Sequence, residues 1–410
     1  MRYGLLGEKL GHSFSKEIHE SINDYKYDLI EVEKESLDSF MKNRDFKAIN
    51  VTIPYKEKVI PYLYYIDDVA KRIGAVNTIV NKNGKLYGYN TDYYGLKSLI
   101  ESKNVNIKGF DILILGTGGT SKTATQVALD LGCKSITYVS INNEEGTISY
   151  HDAITKYNDV DMIINTTPCG MYPNTMDLII DLTKFNNLKL LIDVIYNPLK
   201  TRLGILAEEL NIPYACGLYM LVSQAVYASS IFTDKVIENK VTDEIYQKLY
   251  EEKQNIVLIG MPSCGKTTIS KMLEDKINKK CIDIDNLVEE KLGMSIKEHI
   301  SLYGEASFRK VEKEIVLEAS KKNNLIISTG GGVIKDYDNI VSLKGNGKVI
   351  FIDRDISLLT PTSSRPLSSN ISDLKKLYDE RLPLYKKYAD VVISNNGSIE
   401  DTINEIIKNI

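Results

Sequence analysis

Two continuous apolar runs, FDILIL (110–115) and NIVLI (255–259), stand out from an otherwise mixed pattern of hydrophobic and polar positions. Each runs directly into a glycine-rich turn, GTGGT (116–120) and GMPSCGKT (260–267), and then into a segment with helical apolar spacing. A short unbroken apolar run is the signature of a strand buried on both faces of a parallel sheet. Strand, glycine turn and helix together open a nucleotide-binding α/β unit. Two such openings, at 116 and 260, predict two separate nucleotide sites. Between them, TDEIYQKLYEEKQ (242–254) is polar, lacks Gly and Pro, and starts like a capping box. It predicts a helix that ends the first domain and doubles as a linker of about 20 Å. There is no repeat at solenoid or propeller periods. No stretch approaches the ~20 apolar residues of a membrane span, and the N-terminal apolar run is too short for a signal peptide.

Length and composition narrow this picture slightly. At roughly 100–200 residues per domain, 410 residues predict two to four domains. Apolar residues make up 43% and charged residues 26%, ordinary for a soluble globular chain. A net charge of -4 and a pI of about 5.8, with lysines interleaved among acids, argue against nucleic acid or membrane as partner. The five cysteines are odd in number and lack metal or redox spacing, which predicts free thiols and a cytoplasmic location.

The second glycine turn carries the more specific chemistry. GMPSCGKTT (260–268) matches the phosphate-binding pattern G-x-x-x-x-G-K-[ST] in full. Gly260 and Gly265 let backbone N–H groups face phosphate oxygens, Lys266 reaches the β/γ-phosphates, and Thr267 ligates Mg²⁺. In CIDIDNLVEE (281–290), Asp283 and Asp285 are expected to point the same way from a strand end, Asp283 organising Mg²⁺ water and Asp285 accepting from an acceptor hydroxyl. GEASFRKVE (304–312) offers Arg309 for a carboxylate, with Glu312 either a surface ion pair or the group that holds it. ISTGGGVI (327–334) brings bare backbone close. RPL (365–367) reads as part of a lid, and RLPLY (381–385) supplies a second guanidinium.

In this order these motifs resemble shikimate kinase over 254–410. The resemblance implies that Arg309, Arg381 and Gly331 bind the shikimate carboxylate and hydroxyls. It places Asp285 on the 3-hydroxyl and Arg365 on the transferring phosphoryl group. ATP would be held by Gly260, Pro262, Ser263, Cys264, Gly265, Lys266, Thr267, Thr268 and Arg365, with Mg²⁺ at Thr267 and Asp283. The lid start, DISLLTPTSS (355–364), departs from the family, which often stacks a basic residue on adenine there.

Seven motifs precede the linker: GHSFS (11–15), NVTIPYK (50–56), GAVNT (74–78), GYNTDYYG (88–95), NTTPCGM (165–171), DVIYNP (193–198) and GLYMLVSQA (217–225). They are rich in the hydroxyls and amides that a polar ring substrate requires. A lysine near a ketone stabilises developing alkoxide and supplies a proton, and an aspartate fixes that lysine. The set resembles shikimate dehydrogenase over about 1–240. The resemblance implies a catalytic pair, Lys56 and Asp92, with Ser13, Ser15, Thr52, Asn77, Asn90, Tyr196 and Gln224 around 3-dehydroshikimate or shikimate. His12 is read as structural, and Lys16, where the family has proline, as a change to the helix start.

NADP(H) would lie on Gly116, Gly118, Gly119 and Thr120, with Ser140, Asn165, Thr166 and Gly217 completing its site. Ile141 stands where NADP-using relatives place an arginine for the 2′-phosphate, so NAD(H) stays open. The expected fold is α/β: a dehydrogenase over 1–250, with a substrate lobe (1–100 and 217–241) and a Rossmann lobe (101–216), then a P-loop kinase over 251–410. A homodimer stays open. So do two rival readings: a nucleotide sensor without catalysis, and an enzyme pair for a related substrate such as quinate or a sugar acid.

Overall fold

The computed structural model describes residues 2–11, 14–142, 144–360 and 371–410. They form two compact units. The first takes in Met1–Pro168, Ile179–Tyr196 and Leu206–Leu249; the second takes in Cys169–Leu178, Asn197–Ile205 and Tyr250–Ile410.

The first unit holds two six-stranded sheets. One is built from β1 (Arg2–Gly7), β2 (Tyr27–Glu31), β3 (Phe46–Val51), β4 (Tyr65–Ile66), β5 (Thr78–Lys82) and β6 (Lys85–Tyr89), in the order β2-β1-β3-β5-β6-β4. β1 pairs parallel with β2 and β3, whereas β5 runs antiparallel to both β3 and β6. The β5–β6 hairpin turns on Asn83 and Gly84, both at positive φ (55° and 81°), the residue pair that a tight hairpin favours.

The other sheet is parallel throughout. Its strands are β7 (Asp111–Leu115), β8 (Ser135–Val139), β9 (Thr147–Ile148), β10 (Met162–Asn165), β11 (Leu190–Asp193) and β12 (Tyr214–Cys216). The order β9-β8-β7-β10-β11-β12 is that of a doubly wound dinucleotide fold, with its switch point between β7 and β10. Leu113, Ile114 and Leu115 are fully buried, as the unbroken apolar run requires. The helices Thr91–Glu101 and Gly217–Thr233 pack so closely that a Cβ on Gly95 would lie 2.6 Å from the Met220 carbonyl oxygen. That approach brings Asp92 and Gln224 to the rim of one cavity.

The second unit is a five-stranded parallel sheet of β13 (Asn255–Ile259), β14 (Lys280–Asp283), β15 (Leu325–Ser328), β16 (Gly347–Asp353) and β17 (Val391–Ser394), ordered β14-β15-β13-β16-β17. Ile256 to Ile259 form its centre with Ile326, Ile327 and Ile350. The α/β class and both parallel sheets agree with the sequence pattern.

Three local features differ from the sequence reading. The linker helix runs Asn239–Lys253 rather than starting at Thr242. Thr242 is buried inside it, and Tyr246 packs on Tyr219, so packing of one face extends the helix past the expected cap. Asp283 and Asp285 do not share a strand face: β14 ends at Asp283, which caps the helix Ile284–Leu292, and Asp285 lies in its first turn. Finally, residues 169–178 and 197–205, expected in the Rossmann lobe, group with the second unit. Contacts from each segment accompany this grouping: Leu199 N–H donates to Asn346 Oδ1 at 2.9 Å, Lys200 N–H to the Gly345 carbonyl at 2.8 Å, and Ser342 Oγ lies 3.1 Å from Met176 Sδ.

Candidate active sites

In the first unit a cavity of about 380 Å³ is lined by Ser15, Thr52, Lys56, Asn77, Asp92 and Gln224, among others. Lys56 comes from the loop after β3, and Asp92 from the first turn of the helix Thr91–Glu101. Lys56 Nζ donates to Asp92 Oδ2 at 2.6 Å, and both side chains stay partly open to the cavity, at 26% and 17% exposure. Asn77 Oδ1 accepts from Thr91 N–H at 2.7 Å. Gln224 Nε2 donates to the Leu221 carbonyl at 2.9 Å, and its Oε1 accepts from Thr91 Oγ1 at 3.4 Å. Tyr196 lines the same cavity with its ring 5.5 Å from Phe14, and burial raises its phenol pKa.

Ser15 opens the helix Ser15–Ile22, and Lys16 faces outward, 3.8 Å from Glu20, so its departure from proline leaves the helix start intact. His12 and Ser13 lie outside the described residues. Asn90 is a correction: it is 1% exposed and caps the helix, accepting from Tyr93 N–H at 3.2 Å and donating to the Ala75 carbonyl at 3.0 Å. It shapes the site from behind. Asn50, which sequence reasoning left unassigned, lines the cavity. Its place two residues before Thr52 at a strand end was the available signal.

The glycine turn lies at the switch-point end of β7. Gly116 takes a φ of +94°, and Gly118 caps the helix Gly119–Asp130. No side chain caps that helix and its first turn carries no acid, so its N–H groups suit a pyrophosphate. Thr120 and Gly217 line the cavity beside this turn. Thr166 Oγ1 donates to the Leu115 carbonyl at 2.7 Å, which ties the β10 end to the turn. Asn165 is a second correction. It is fully buried, with Nδ2 on Asp193 at 3.1 Å and Oδ1 accepting from Thr167 N–H at 3.1 Å, so it braces two loops rather than facing a cofactor. At the β8 end, Ser140 Oγ accepts from Asn142 N–H at 3.1 Å, and Ile141 is 84% exposed.

In the second unit the loop 260–265 curls with Gly260, Ser263 and Gly265 at positive φ (153°, 65° and 102°). Pro262 borders Gly331, and Cys264 is buried beneath the loop. Lys266 Nζ donates to the carbonyls of Gly260 and Met261, each at 2.9 Å, and the helix Lys266–Glu274 has no side-chain cap. Thr268 follows in its first turn. Thr267 Oγ1 and Ser328 Oγ each lie 3.0 Å from Asp283 Oδ2. Two hydroxyls and a carboxylate are the sparse oxygen set that Mg²⁺ accepts while keeping its waters.

A pocket of about 330 Å³ next to this loop is lined by Glu305, Arg309, Glu312, Gly332, Lys335 and Asp336, among others. Arg309 donates to Glu312 at 2.7 Å and to Glu305 at 3.0 Å. Glu312 is 1% exposed, which selects the holding role over a surface pair. Burial pushes its carboxyl up from the ordinary range, against the pull of Arg309. A Cβ on Gly332 would meet Arg309 Nη2 at 2.3 Å, so a larger residue there would displace the guanidinium from its place over this turn. Asp285 Oδ1 lies over Gly330, within 2.5 Å of where a Cβ would stand. Arg381 is 2% exposed, with Nη1 on the Gly331 carbonyl at 2.9 Å. Its Nε and Nη2 are buried without a hydrogen-bond partner among the described residues. A buried cation with free donors calls for an anion. Tyr385, one turn on, also donates to the Gly331 carbonyl. The sequence reading missed it, although the i, i+4 spacing from Arg381 marks the same helix face. Arg365 lies outside the described residues.

A family model for the shikimate dehydrogenase substrate binding domain matches residues 5–79, and one for shikimate kinase matches residues 262–410. Shikimate dehydrogenase (NADP(+)) of Clostridium perfringens is 39% identical over 264 residues, which span 60% of this chain and 97% of the relative. A solved chorismate mutase/shikimate 5-dehydrogenase fusion protein from Clostridium acetobutylicum is 38% identical, with a TM-score of 0.58 over 61% of this chain and 97% of that one. Shikimate dehydrogenase 1 of Peptoclostridium difficile gives 38% identity and a TM-score of 0.55, over 61% of this chain and 98% of that one. The chain therefore belongs to the shikimate dehydrogenase family through its N-terminal part and carries a shikimate kinase domain at residues 262–410.

Proposed function

We propose that this chain carries out two consecutive steps, reduction of 3-dehydroshikimate to shikimate and phosphorylation of shikimate on its 3-hydroxyl. The observation that carries the reading is the presence of both chemical centres in one polypeptide: the Lys56–Asp92 pair at 2.6 Å, and the phosphate loop beside the buried, under-partnered Arg381.

In the first site NADPH, when bound, supplies the hydride. Lys56 meets the ketone oxygen, stabilises charge as it develops there and donates a proton. Asp92 holds the ammonium in place, while Ser15, Thr52, Asn77 and Gln224 grip the ring and its carboxylate. In the second site ATP is a substrate. The loop amides and Lys266 hold its phosphates, with Mg²⁺ at Thr267 and Asp283. Arg309 and Arg381 hold the shikimate carboxylate, and Asp285 takes the direction of the attacking hydroxyl. Transfer then depends on positioning and charge neutralisation. Five free cysteines support a cytoplasmic setting, and no helix among the described residues is long and apolar enough to cross a membrane.

The exposed Ile141 favours one extension of this reading, acceptance of NAD(H) beside NADP(H), because the β8 end offers Ser140 and Asn142 but no cation to a 2′-phosphate. Purified chain given shikimate with NADP⁺ should form NADPH, and given shikimate with Mg·ATP should release ADP. Absence of either product removes the corresponding half of the proposal.

A further inference from the structure

Behind the dehydrogenase cavity a buried chain of hydroxyls and amides leads to Tyr27 on β2. Tyr27 is fully buried and its ring stacks on His19 at 4.1 Å. Its hydroxyl donates to Asn50 Oδ1 at 2.8 Å. With that oxygen occupied, Asn50 turns Nδ2 to the Asn77 carbonyl at 3.3 Å and to Thr78 Oγ1 at 3.0 Å. Thr78 Oγ1 receives this bond and donates to Asn77 Oδ1 at 3.0 Å. The same oxygen accepts from Thr91 N–H at 2.7 Å.

Three donors thus converge on Asn77 Oδ1: Thr78 Oγ1, Thr91 N–H and, at 3.2 Å, Thr91 Oγ1. A reversed carboxamide would set its NH₂ against N–H and O–H donors, a costly clash in a buried network. Asn77 therefore keeps Nδ2 as the donor it can offer to the cavity that it lines. Tyr27 is fully buried and does not line that cavity, so its hydroxyl acts through Asn50, which does.

We propose that Tyr27 is a positioning residue of the dehydrogenase: its hydroxyl sets the donor direction of the Asn50–Thr78–Asn77 relay, and with it the donor that Asn77 presents to an oxygen of the ring substrate. This rests on the substrate reading given above. It assigns a function to a tyrosine that packing alone would satisfy with phenylalanine.

Tyr27→Phe keeps the ring and the stack and removes the hydroxyl. Thr78→Val keeps the shape and cuts the relay one step further on. NADP⁺-linked oxidation of shikimate is measured with the full-length variants, with circular dichroism as the check on folding. Each single variant should raise the KM for shikimate roughly three- to tenfold, with kcat and the KM for NADP⁺ little changed. The double variant should be no worse than Thr78→Val alone, because the relay is already cut. Losses that multiply in the double variant, or a Tyr27→Phe protein with the wild-type KM, overturn the relay. Wild-type chain that does not oxidise shikimate at all overturns the substrate reading itself, and that result is seen before any variant is compared.

Discussion

Lys56 Nζ and Asp92 Oδ2 lie 2.6 Å apart although the residues are 36 positions apart in the chain. Asn90 makes this closeness possible by starting the helix that carries Asp92. Lys56→Ala should lower the dehydrogenase kcat by roughly 10²–10⁴-fold, the usual range for removal of a general acid. ADP formation from shikimate and ATP should continue in the same protein. Parallel loss of both activities would mean that the substitution disturbs folding rather than chemistry.

Two nitrogens of Arg381, Nε and Nη2, have no hydrogen-bond partner among the described residues, which gives a second prediction. Arg381→Met keeps an unbranched side chain in the buried site and removes the charge. The KM for shikimate in the kinase reaction should rise roughly 10- to 100-fold, as expected for a charged hydrogen bond of about 1.5–3 kcal/mol. The KM for ATP should stay close to wild type. A selective effect on ATP would move Arg381 from the acceptor site to the nucleotide site.

Ile141 at the end of β8 is the natural position for altering cofactor preference. Ile141→Arg should increase the ratio of kcat/KM for NADPH over NADH by about tenfold, through one charge-assisted contact to the 2′-phosphate. An unchanged ratio would show that phosphate recognition lies elsewhere.

His19 links stability to pH. Burial lowers its pKa from 6.5 to about 3. Its folded pKa is below its unfolded one, so its contribution is complete above pH 6.5 and is lost as pH falls towards 3. Across that window the slope is about 1.4 kcal/mol per pH unit. Thermal unfolding followed by loss of dehydrogenase activity should therefore be less pH-dependent in His19→Gln than in wild type. Equal slopes would assign the acid sensitivity to other groups.

Much of this was legible in the sequence because the relevant forces are local. ILIL (112–115) and NIVLI (255–259) are buried on both sheet faces, so their pattern needs no distant partner to be read. The glycine turns likewise announce themselves by backbone requirement. What stayed hidden depends on groups brought together from afar. Asn165 looks like a polar residue available to a cofactor until Asp193, 28 positions on, takes its amide. Asn90 looks like a substrate contact until Ala75 and Tyr93 take both ends of its side chain. Asp283 and Asp285 looked like neighbours on a strand face because the sequence does not mark where β14 gives way to a helix. Arg381 looked like a surface residue apart from its motif, and only the fold shows it buried against Gly331.

The most direct measurement is mass spectrometry of the products formed when the purified full-length chain receives 3-dehydroshikimate, NADPH and Mg·ATP together. The account predicts shikimate 3-phosphate, with shikimate as the intermediate and neither product when NADPH is omitted. Shikimate accumulating without phosphate would contradict the kinase assignment, and unchanged 3-dehydroshikimate with either NADPH or NADH would contradict the account at its root.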